Sequence, residues 1–382
     1  MEKIRKLPTK PKIKDFFYII PMGEDKIQFR TVGTIRILKG KAVSTLIPNL
    51  LPELNGQNTI SEVILRLKSF DENTVLSAIR LMNERGLLED ASISPPSGFS
   101  PQELERYQNQ FKFFCHFHPD KFAWQKLLKE KRVVIFGLEE IGCALLMNLS
   151  SLGIGKITAI GLQTENEIID ERDLGTFFFE EDINKEKTIV AREKIREINP
   201  NIQVDVIRKD IKSSKDIVPL IERCDLVILC NDAINIPLCR LVNEACLEKK
   251  VQWINSSIEG TEALIGPLIL PYETACYTCY ELRRKGNEKY FEEYMAFEKY
   301  LIDNPNSNIQ YGSLKFFGNL VATIVAQIVV KLFTNIGSAD YGKLFIVNML
   351  TPKIEVEEVL KLPICPTCSR AKPRPKLWLE ME

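Results

Sequence analysis

The chain has 382 residues, which is enough for two or three domains with full cores. Its 51 Lys and Arg balance its 51 Asp and Glu, and 45% of the residues are hydrophobic, so nothing in the composition indicates a nucleic-acid partner. The N-terminal stretch MEKIRKLPTKPKIKDFF is basic without a long apolar run, so we predict no signal peptide.

The most apolar segment, LVATIVAQIVVKLF (320–333), is shorter than the ~20 residues that span a bilayer, and Gln327 and Lys331 interrupt it. We predict a buried helix there and no membrane association. Six of the ten cysteines are scattered singly, which is typical of buried thiols in an intracellular protein and favours a cytoplasmic location.

Residues 14–40 alternate as strands do, in DFFYIIP, KIQFRT and GTIRILKG. Helical stretches follow in VSTLIPNLLPEL, TISEVILRLKSF and ENTVLSAIRLMNERG, with Thr59 or Ser61 as the cap of the second. This order predicts a small winged-helix-like α+β domain over residues 1–92. Residues 1–41 carry 11 Lys or Arg against four Asp or Glu, so its sheet side is predicted to be basic. A solvated basic face without a ligand explains that charge equally well.

Residues 93–103 have the Pro, Ser and Gly content of a linker. From residue 132 onward, apolar strands alternate with amphipathic helices: RVVIFG, helix 141–152, KITAIG, helix 185–198, IQVDVI, DLVILCND, a helix near 236–248, and VQWINSS. This alternation predicts an α/β domain over 104–382 with a doubly wound, mostly parallel Rossmann-like sheet.

Two C-x-x-C pairs stand 89 residues apart, CYTC with Cys276 and Cys279, and CPTC with Cys365 and Cys368. Two such pairs complete a tetrahedral zinc site, and four thiolates leave no position for a reactive water. We therefore predict a structural zinc ion. The alternatives are unrelated cysteines or a redox pair, and the redox pair is disfavoured because neither C-x-x-C opens a helix after a strand.

The stretch VVIFGLEEIGCALL (133–146) predicts a strand, a tight glycine turn and the start of a helix. In dinucleotide- and ATP-binding folds the outer glycines of such a loop make the turn and the helix contact, and the middle one faces the phosphates. Gly137 and Gly142 hold the outer places here, but Glu139 and Glu140 fill the middle.

Several segments resemble the ThiF/MoeB-like fold of ubiquitin-activating-type enzymes: RVVIFGLEEIGCALLMNLSSLGIGKITAIG, EEDINKEKTIVAREKIREINPNIQV, CDLVILCNDA, EGTEALIGPLILP and the paired C-x-x-C. Family members with adenylating activity bind ATP and activate a peptide C-terminus, usually as dimers. The N-terminal domain, with LLPELNGQNTISEVI and GLLED, resembles the element that captures a leader peptide as an added strand in ribosomal-peptide biosynthesis. Together the two parts resemble the leader-binding partner protein of azole/azoline cyclodehydratases.

The resemblance places the family's ATP-site arginine, lysine and metal-side aspartate on Arg172, Lys187 and Asp232, whereas its acidic ribose ligand is replaced by Gly161. A carboxylate about 5 Å from a phosphate charge costs on the order of 3 kcal/mol at an effective dielectric near 20. Loss of the ribose hydrogen bond costs roughly 1.5–3 kcal/mol more. We therefore expect a degenerate nucleotide site that does not hold ATP tightly, with the three polar residues left as surface or ion-paired groups.

The resemblance implies a non-catalytic or co-catalytic subunit that binds the leader of a ribosomally made precursor peptide. It would present that peptide to, and activate, a YcaO-type ATP-dependent cyclodehydratase that forms thiazoline or oxazoline rings. The alternative is an enzyme that adenylates a ribosomal peptide with Arg172, Lys187 and Asp232, and a third interpretation is an interaction scaffold in another modification pathway. A homodimer is a further implication. No cysteine lies between Cys279 and Cys365, which excludes a thioester relay in that region.

We predict that the leader pairs along GTIRILKG, with Ile35 and Ile37 flanking the added strand. Val75, Ile79 and Met82 are spaced four and three apart on one helix face and are predicted to supply further peptide contacts. The alternative role of these three residues is the core of the small domain.

Overall fold

The computed structural model describes residues 6–118, 120–162, 167–232, 235–304, 312–351 and 353–369. The chain divides into two compact units, Met1–Lys126 and Leu127–Glu382. Residues 93–126, which include the proposed linker, cluster with the first unit, so the domain limits at 92 and 104 stay a prediction.

The first unit is a small α+β fold. Its strands are β1 (Pro11–Ile13), β2 (Tyr18–Pro21), β3 (Lys26–Arg30), β4 (Ile35–Lys39) and β5 (Leu88–Asp90). Its helices are α1 (Ala42–Thr45), α2 (Ile47–Glu53), α3 (Ile60–Arg66), α4 (Glu72–Glu84), α5 (Pro101–Arg106) and α6 (Gln108–Phe114). Strands β2, β3 and β4 form an antiparallel sheet in that order, and β1 pairs with β5.

The core of the first unit is formed by the inward-facing side chains of alternate strand residues together with the apolar faces of the helices. Ile27 and Phe29 of β3 and Leu38 of β4 turn inward and join the buried faces of α1–α4. Helix α3 begins with a capping box in which the Thr59 side chain accepts from the N–H of Glu62 and the Glu62 carboxylate accepts from the N–H of Thr59. Thr59 is thus the cap of the second predicted helix.

The second unit is built around a large mixed sheet. Its strands are β6 (Arg132–Phe136), β7 (Lys156–Leu162), β8 (Gln203–Lys209), β9 (Leu226–Asn231), β10 (Trp253–Glu259), β11 (Glu262–Ile265), β12 (Lys343–Asn348) and β13 (Lys353–Glu358). The helices are α7 (Ala123–Glu130), which begins in the first unit, α8 (Glu140–Leu152), α9 (Lys187–Ile198), α10 (Ser214–Ile217), α11 (Ile236–Lys249), α12 (Tyr277–Gly286), α13 (Phe291–Asp303) and α14 (Lys315–Thr334).

Among the described residues the sheet order is β8-β7-β6-β9-β10-β11-β12-β13, parallel from β8 to β10 and antiparallel from β10 to β13. The predicted α/β class with a mostly parallel, doubly wound sheet is confirmed. The chain runs outward in opposite directions from β6 and β9, so the crevice at the carboxyl ends of these two strands is the topological switch point where α/β sheets bind ligands.

The apolar segment predicted to form a buried helix is α14, which runs over 20 residues rather than 14. Within the described residues it is the one helix whose length and mean hydropathy (1.9) would suffice to cross a membrane. Its side chains pack against α8 and against β10 and β11, and 56% of its 18-residue apolar window is buried. These are the features of a core helix.

Candidate functional site

The loop after β6 depends on two glycines. Gly137 has φ +100°, and a Cβ there would lie 2.2 Å from the carbonyl oxygen of Cys230 in β9. A Cβ on Gly142, in the first turn of α8, would lie 1.9 Å from the carbonyl oxygen of Gly137. Both positions therefore exclude larger residues for reasons of backbone packing that involve no ligand.

Glu139 is the N-cap residue of α8, directly before its first residue Glu140, and it is partly buried. Burial raises the pKa of Glu139, as do the nearby charges of Asp173 and Glu140, whereas Lys187 opposes the shift. When ionised, a carboxylate in this position puts negative charge where a nucleotide phosphate would have to approach the start of the helix.

Glu140 is tied to the first turn of α14. Its Oε1 lies 3.2 Å from Nζ of Lys315, and its Oε2 accepts a hydrogen bond from the Ser313 hydroxyl at 3.0 Å. A Cβ on Gly318 would come within 2.7 Å of the Glu140 Cβ, so the start of α14 lies directly against the start of α8. Glu140 is thus part of a helix–helix contact.

Asp232 follows β9 and lies beside the same helix start. Its Oδ1 accepts a hydrogen bond from the N–H of Ile141 at 3.1 Å, in the manner of a phosphate oxygen at a helix N-terminus. Lys187 opens α9, is 3% exposed, and lies with Nζ 2.6 Å from Oδ1 of Asp173. Both residues act at the start of α8, Asp232 through this hydrogen bond and Lys187 through its charge interaction with Glu139, and each already has a partner within the protein.

Gly161 offers no side chain, and Arg172 interacts with this region through the nearby charges of Asp173 and Glu139. The Arg172 guanidinium is largely exposed and pairs with Asp170 at 2.7 Å; this hydrogen bond lowers the pKa of Asp170 and raises the pKa of Arg172. The backbone carbonyl of Arg172 accepts a hydrogen bond from the Lys315 ammonium at an exposed position. Gly161 lies within β7, paired with Arg208 of β8, and offers no carboxylate.

The crevice at the switch point thus contains positive and negative groups that pair with one another. Lys187 faces Asp173, Lys315 faces Glu140, and the helix N-terminus faces Asp232. The resemblance to the ThiF/MoeB-like fold indicated Lys187 and Asp232, but nothing in the sequence indicated Asp173 or Lys315. Lys315 belongs to a helix that reads from the sequence as an apolar core element, so only the fold brings it to the crevice.

Four cysteines form a second, separate site. Their Sγ atoms all lie within 4.8 Å of one another, and the residues are Cys276, Cys279, Cys365 and Cys368. The individual separations of 3.8, 3.7 and 3.6 Å match the about 3.8 Å between sulfurs that tetrahedral bonds of about 2.3 Å produce. The cluster could therefore bind a metal ion such as zinc.

The surroundings of the cluster favour thiolate at Cys279. Hydrogen bonding from Cys276 lowers the pKa of the Cys279 thiol, and the N–H of Leu362 donates to its sulfur at 3.5 Å, whereas the pKa values of Cys276 and Cys368 are raised by their thiol neighbours and by burial. Elsewhere in the same unit, burial raises the pKa of Cys224 and Cys239 to about 12, so those thiols stay protonated at neutral pH.

The five residues predicted to contact a peptide divide into two groups. Ile35 and Ile37 are 49% and 43% exposed on β4. Val75, Ile79 and Met82 are fully buried in the core of the first unit, where the helical spacing that placed them on one face of α4 directs them. Their side chains are closed to a surface peptide, so the predicted helix contacts do not hold in this structure and the core role applies.

Comparison with known proteins agrees with this architecture. The sequence pattern of the ThiF family matches residues 107–367, which is about two-thirds of the chain. The chain belongs to the ThiF family. The resemblance to the ThiF/MoeB-like fold is therefore confirmed.

One relative is the molybdopterin-synthase adenylyltransferase of Escherichia coli, 23% identical over 271 residues that cover 71% of this chain and 98% of that protein. The structure of E. coli MccB superimposes with a TM-score of 0.70 at 21% identity over 96% of this chain and 98% of MccB. PaaA superimposes with a TM-score of 0.70 at 18% identity over 91% and 100%. MccB, a microcin C7 biosynthetic enzyme, has been solved with ATP and with N-formylated MccA.

The contact between α8 and β6 leads to a stability prediction. Gly142→Ala should lower the free energy of unfolding by about 2–4 kcal/mol, because the new Cβ overlaps a backbone oxygen that has no room to move. Gly286→Ala at the end of α12 is the matched control, since a Cβ there meets nothing within 4 Å and Ala favours the helix. Urea unfolding of both variants checks this, and equal stability of the two would contradict it.

The charge arrangement predicts weak nucleotide binding. We expect the wild-type chain to bind MgATP with a Kd in the millimolar range, and Glu139→Gln with Glu140→Gln to tighten it about tenfold or more by removing repulsion and releasing Lys315. Calorimetry measures both, with the exposed Glu222→Gln, on the loop before β9, as the control. Micromolar binding by the wild-type chain would show the expectation to be wrong.

The cysteine geometry predicts one tightly bound metal ion per chain. Cys365→Ser should remove the ion and lower Tm by at least about 5 °C, because metal binding contributes directly to folding. Cys224→Ser, outside the cluster, should keep the ion. Elemental analysis by mass spectrometry gives the stoichiometry and the identity of the metal. A wild-type chain purified without chelators and free of metal would contradict this prediction.

Proposed function

We propose that this ThiF-family protein captures an extended acidic peptide, the leader of a ribosomally made precursor, along β4 of its first unit. It would present that peptide to a separate YcaO-type ATP-dependent cyclodehydratase and activate that enzyme. The main support for the proposal is that the outer edge of β4 is unpaired: within the described residues, no other strand pairs with it.

The hydrogen-bond pattern of the β3–β4 hairpin determines which backbone groups of β4 face outward. The ladder is closed at one end by the N–H of Thr31 donating to Thr34, and at the other by the N–H of Gly40 donating to Asp25, both at 2.8 Å. Hydrogen-bonded and non-hydrogen-bonded pairs alternate along an antiparallel ladder. Every second residue of β4, beginning with Ile35, therefore turns its N–H and C=O away from β3.

The outward-facing residues are Ile35, Ile37 and Lys39. Together they offer a row of donors and acceptors at the spacing that an added strand requires, which is the geometry of β-strand addition. The side chains of Ile35 and Ile37 stand exposed beside that row. Apolar side chains of an incoming strand would pack on them.

The opposite edge of the same sheet is less suited to a peptide. The N–H of Met22 donates to Lys26 at 2.8 Å, so by the same alternation Ile19 and Pro21 are the outward-facing residues of β2. Pro21 has no N–H and blocks the ladder there. The difference between the two edges supports β4 as the binding strand.

Charge supports an acidic occupant. Arg36 and Lys39 lie on β4, and Lys26 and Arg30 stand opposite Lys39 and Ile35 on β3. Opposite charge steers association and favours acidic over neutral segments. The crystallisation of MccB with its peptide MccA supports a peptide as the partner class.

A non-catalytic role for the second unit is supported by the crevice at β6 and β9. Its cations are already matched by protein carboxylates, and its helix start already has an aspartate acceptor. We propose that it keeps the shape of a nucleotide site while the ATP chemistry belongs to the cyclodehydratase. We further propose that the four cysteines hold a structural zinc, and that the protein is cytoplasmic and a homodimer.

The second candidate function is a peptide-adenylating enzyme. Two observations favour it: Asp232 and Lys187 both interact with groups at the start of α8, and the similar protein MccB has been solved with ATP. Pyrophosphate exchange in the presence of the cognate precursor discriminates, because an adenylating enzyme exchanges and Asp232→Ala abolishes that exchange. Absence of exchange in the wild-type chain would remove this candidate.

The β4 proposal predicts the effect of a single proline. Ile37→Pro should weaken leader binding at least about tenfold, because it removes an outward N–H without breaking the hairpin ladder. Ile19→Pro is the matched control, since its N–H faces outward on β2, and it should leave binding unchanged. The affinity of both variants is measured by fluorescence polarisation with a labelled leader, taken from a precursor whose gene lies next to the gene of this protein. Equal affinity of the Ile37→Pro variant and the wild-type chain would overturn the proposal.

A further inference from the structure

The first unit contains an open groove at one end of its β2–β3–β4 sheet. The groove has a volume of about 620 Å³ and lies between the segment that enters β2 and the turn that joins β3 to β4. Its lining consists of Asp15, Phe16, Phe17, Tyr18, Thr31, Val32, Gly33, Thr34 and His116. Aromatic rings and the backbone of a tight turn therefore form most of its surface.

The aromatic wall of the groove is well supported. The rings of Phe16 and His116 stack with centroids 3.8 Å apart at 13°, and Phe17 packs edge-on against Phe29 of the core. Burial lowers the pKa of His116, and the nearby charge of Lys14 lowers it further, so the imidazole is neutral at pH 7. A neutral stacked pair offers an apolar face to a ligand.

The charged member of the lining is already paired. Asp15 lies 2.7 Å from the ammonium of Lys12, so its carboxylate does not dominate the groove. On the other side, Val32 projects completely into solvent, and a Cβ added at Gly33 would meet nothing within 4 Å. The turn therefore forms an open, apolar lip.

The groove is continuous with the edge of β4. Thr34, at the groove, is followed directly by Ile35, the first outward-facing residue of the strand. A peptide paired with β4 that extends past Ile35, at about 3.3 Å per residue, passes beside Thr34, which lines the groove. From there a bulky side chain that turns toward the hairpin end would enter the groove, whose aromatic wall lies on the β2 side of the sheet.

We propose that this groove is an anchor pocket for one bulky apolar side chain of the acidic peptide that pairs with β4. The inference rests on the proposed function, because the strand on β4 delivers the side chain. The basic residues of β3 and β4 select the charge of the peptide, and the groove selects one residue and fixes the register of the added strand. Backbone pairing alone leaves register weakly specified.

The test is a double-mutant cycle on the full-length chain. A display library of random dodecapeptides is selected on the wild-type protein, and the best peptide is synthesised with its bulky apolar residue intact and replaced by alanine. On the wild-type chain, alanine should weaken binding about tenfold to a hundredfold. On Val32→Asp, which places a charge on the lip at a fully exposed position, the same replacement should cost less than about threefold.

Leu65→Asp, at an exposed apolar position on α3, is the matched control and should keep the full effect of alanine. Phe16→Ser is a second groove variant that should behave as Val32→Asp does. An undiminished alanine effect in both groove variants would overturn the anchor pocket. The proposal that β4 is the binding strand is tested separately with Ile37→Pro. If β4 is the binding strand, no peptide is selected on this variant; if it is not, peptides are selected as on the wild-type chain.

Discussion

The contact on which the second unit depends is the approach of the first turn of α8 to the loop after β6. Since a Cβ on Gly142 would lie 1.9 Å from the carbonyl oxygen of Gly137, the two backbones touch with no side chain between them. Gly137 is in turn held against Cys230 of β9. This contact fixes the helix start at the switch point of the sheet, and it places Glu139, Glu140 and Asp232 around one crevice.

The N-terminus of α8 carries partial positive charge and requires a hydrogen-bond acceptor. In this protein a side chain of the same chain supplies that acceptor. Asp232 accepts from Ile141, while Glu140 engages the Lys315 ammonium and the Ser313 hydroxyl at the start of α14. In other proteins with this architecture, a nucleotide phosphate binds at the N-terminus of the corresponding helix. The Asp232 carboxylate belongs to the chain itself, so this helix start has an acceptor without a ligand, and Glu140 joins α8 to the start of α14.

Much of this arrangement could be predicted from local sequence patterns, and the part that could not is long-range. The period of apolar residues indicated β6, α8 and β7, and C-x-x-C spacing indicated the four-cysteine cluster. The Ser313–Glu140 hydrogen bond joins residues 173 positions apart, and no spacing rule connects them. The spacing of apolar residues predicts helix α4, but a helix face with this spacing can serve either as core or as a binding surface. Burial alone decided that Val75, Ile79 and Met82 form core.

The same physical rule explains why β4 suits a peptide while α4 does not. Along a strand, side-chain direction and backbone hydrogen-bond direction both repeat every two residues. Leu38 turns its side chain into the core and its backbone toward β3, so Ile37 must present both its side chain and its amide outward. Because β4 is the last strand of its sheet, the backbone groups of these alternate residues form an open row. A helix satisfies its own backbone and offers only side chains, so once the inward face of α4 is packed, it keeps no free backbone groups along its length for a peptide to use.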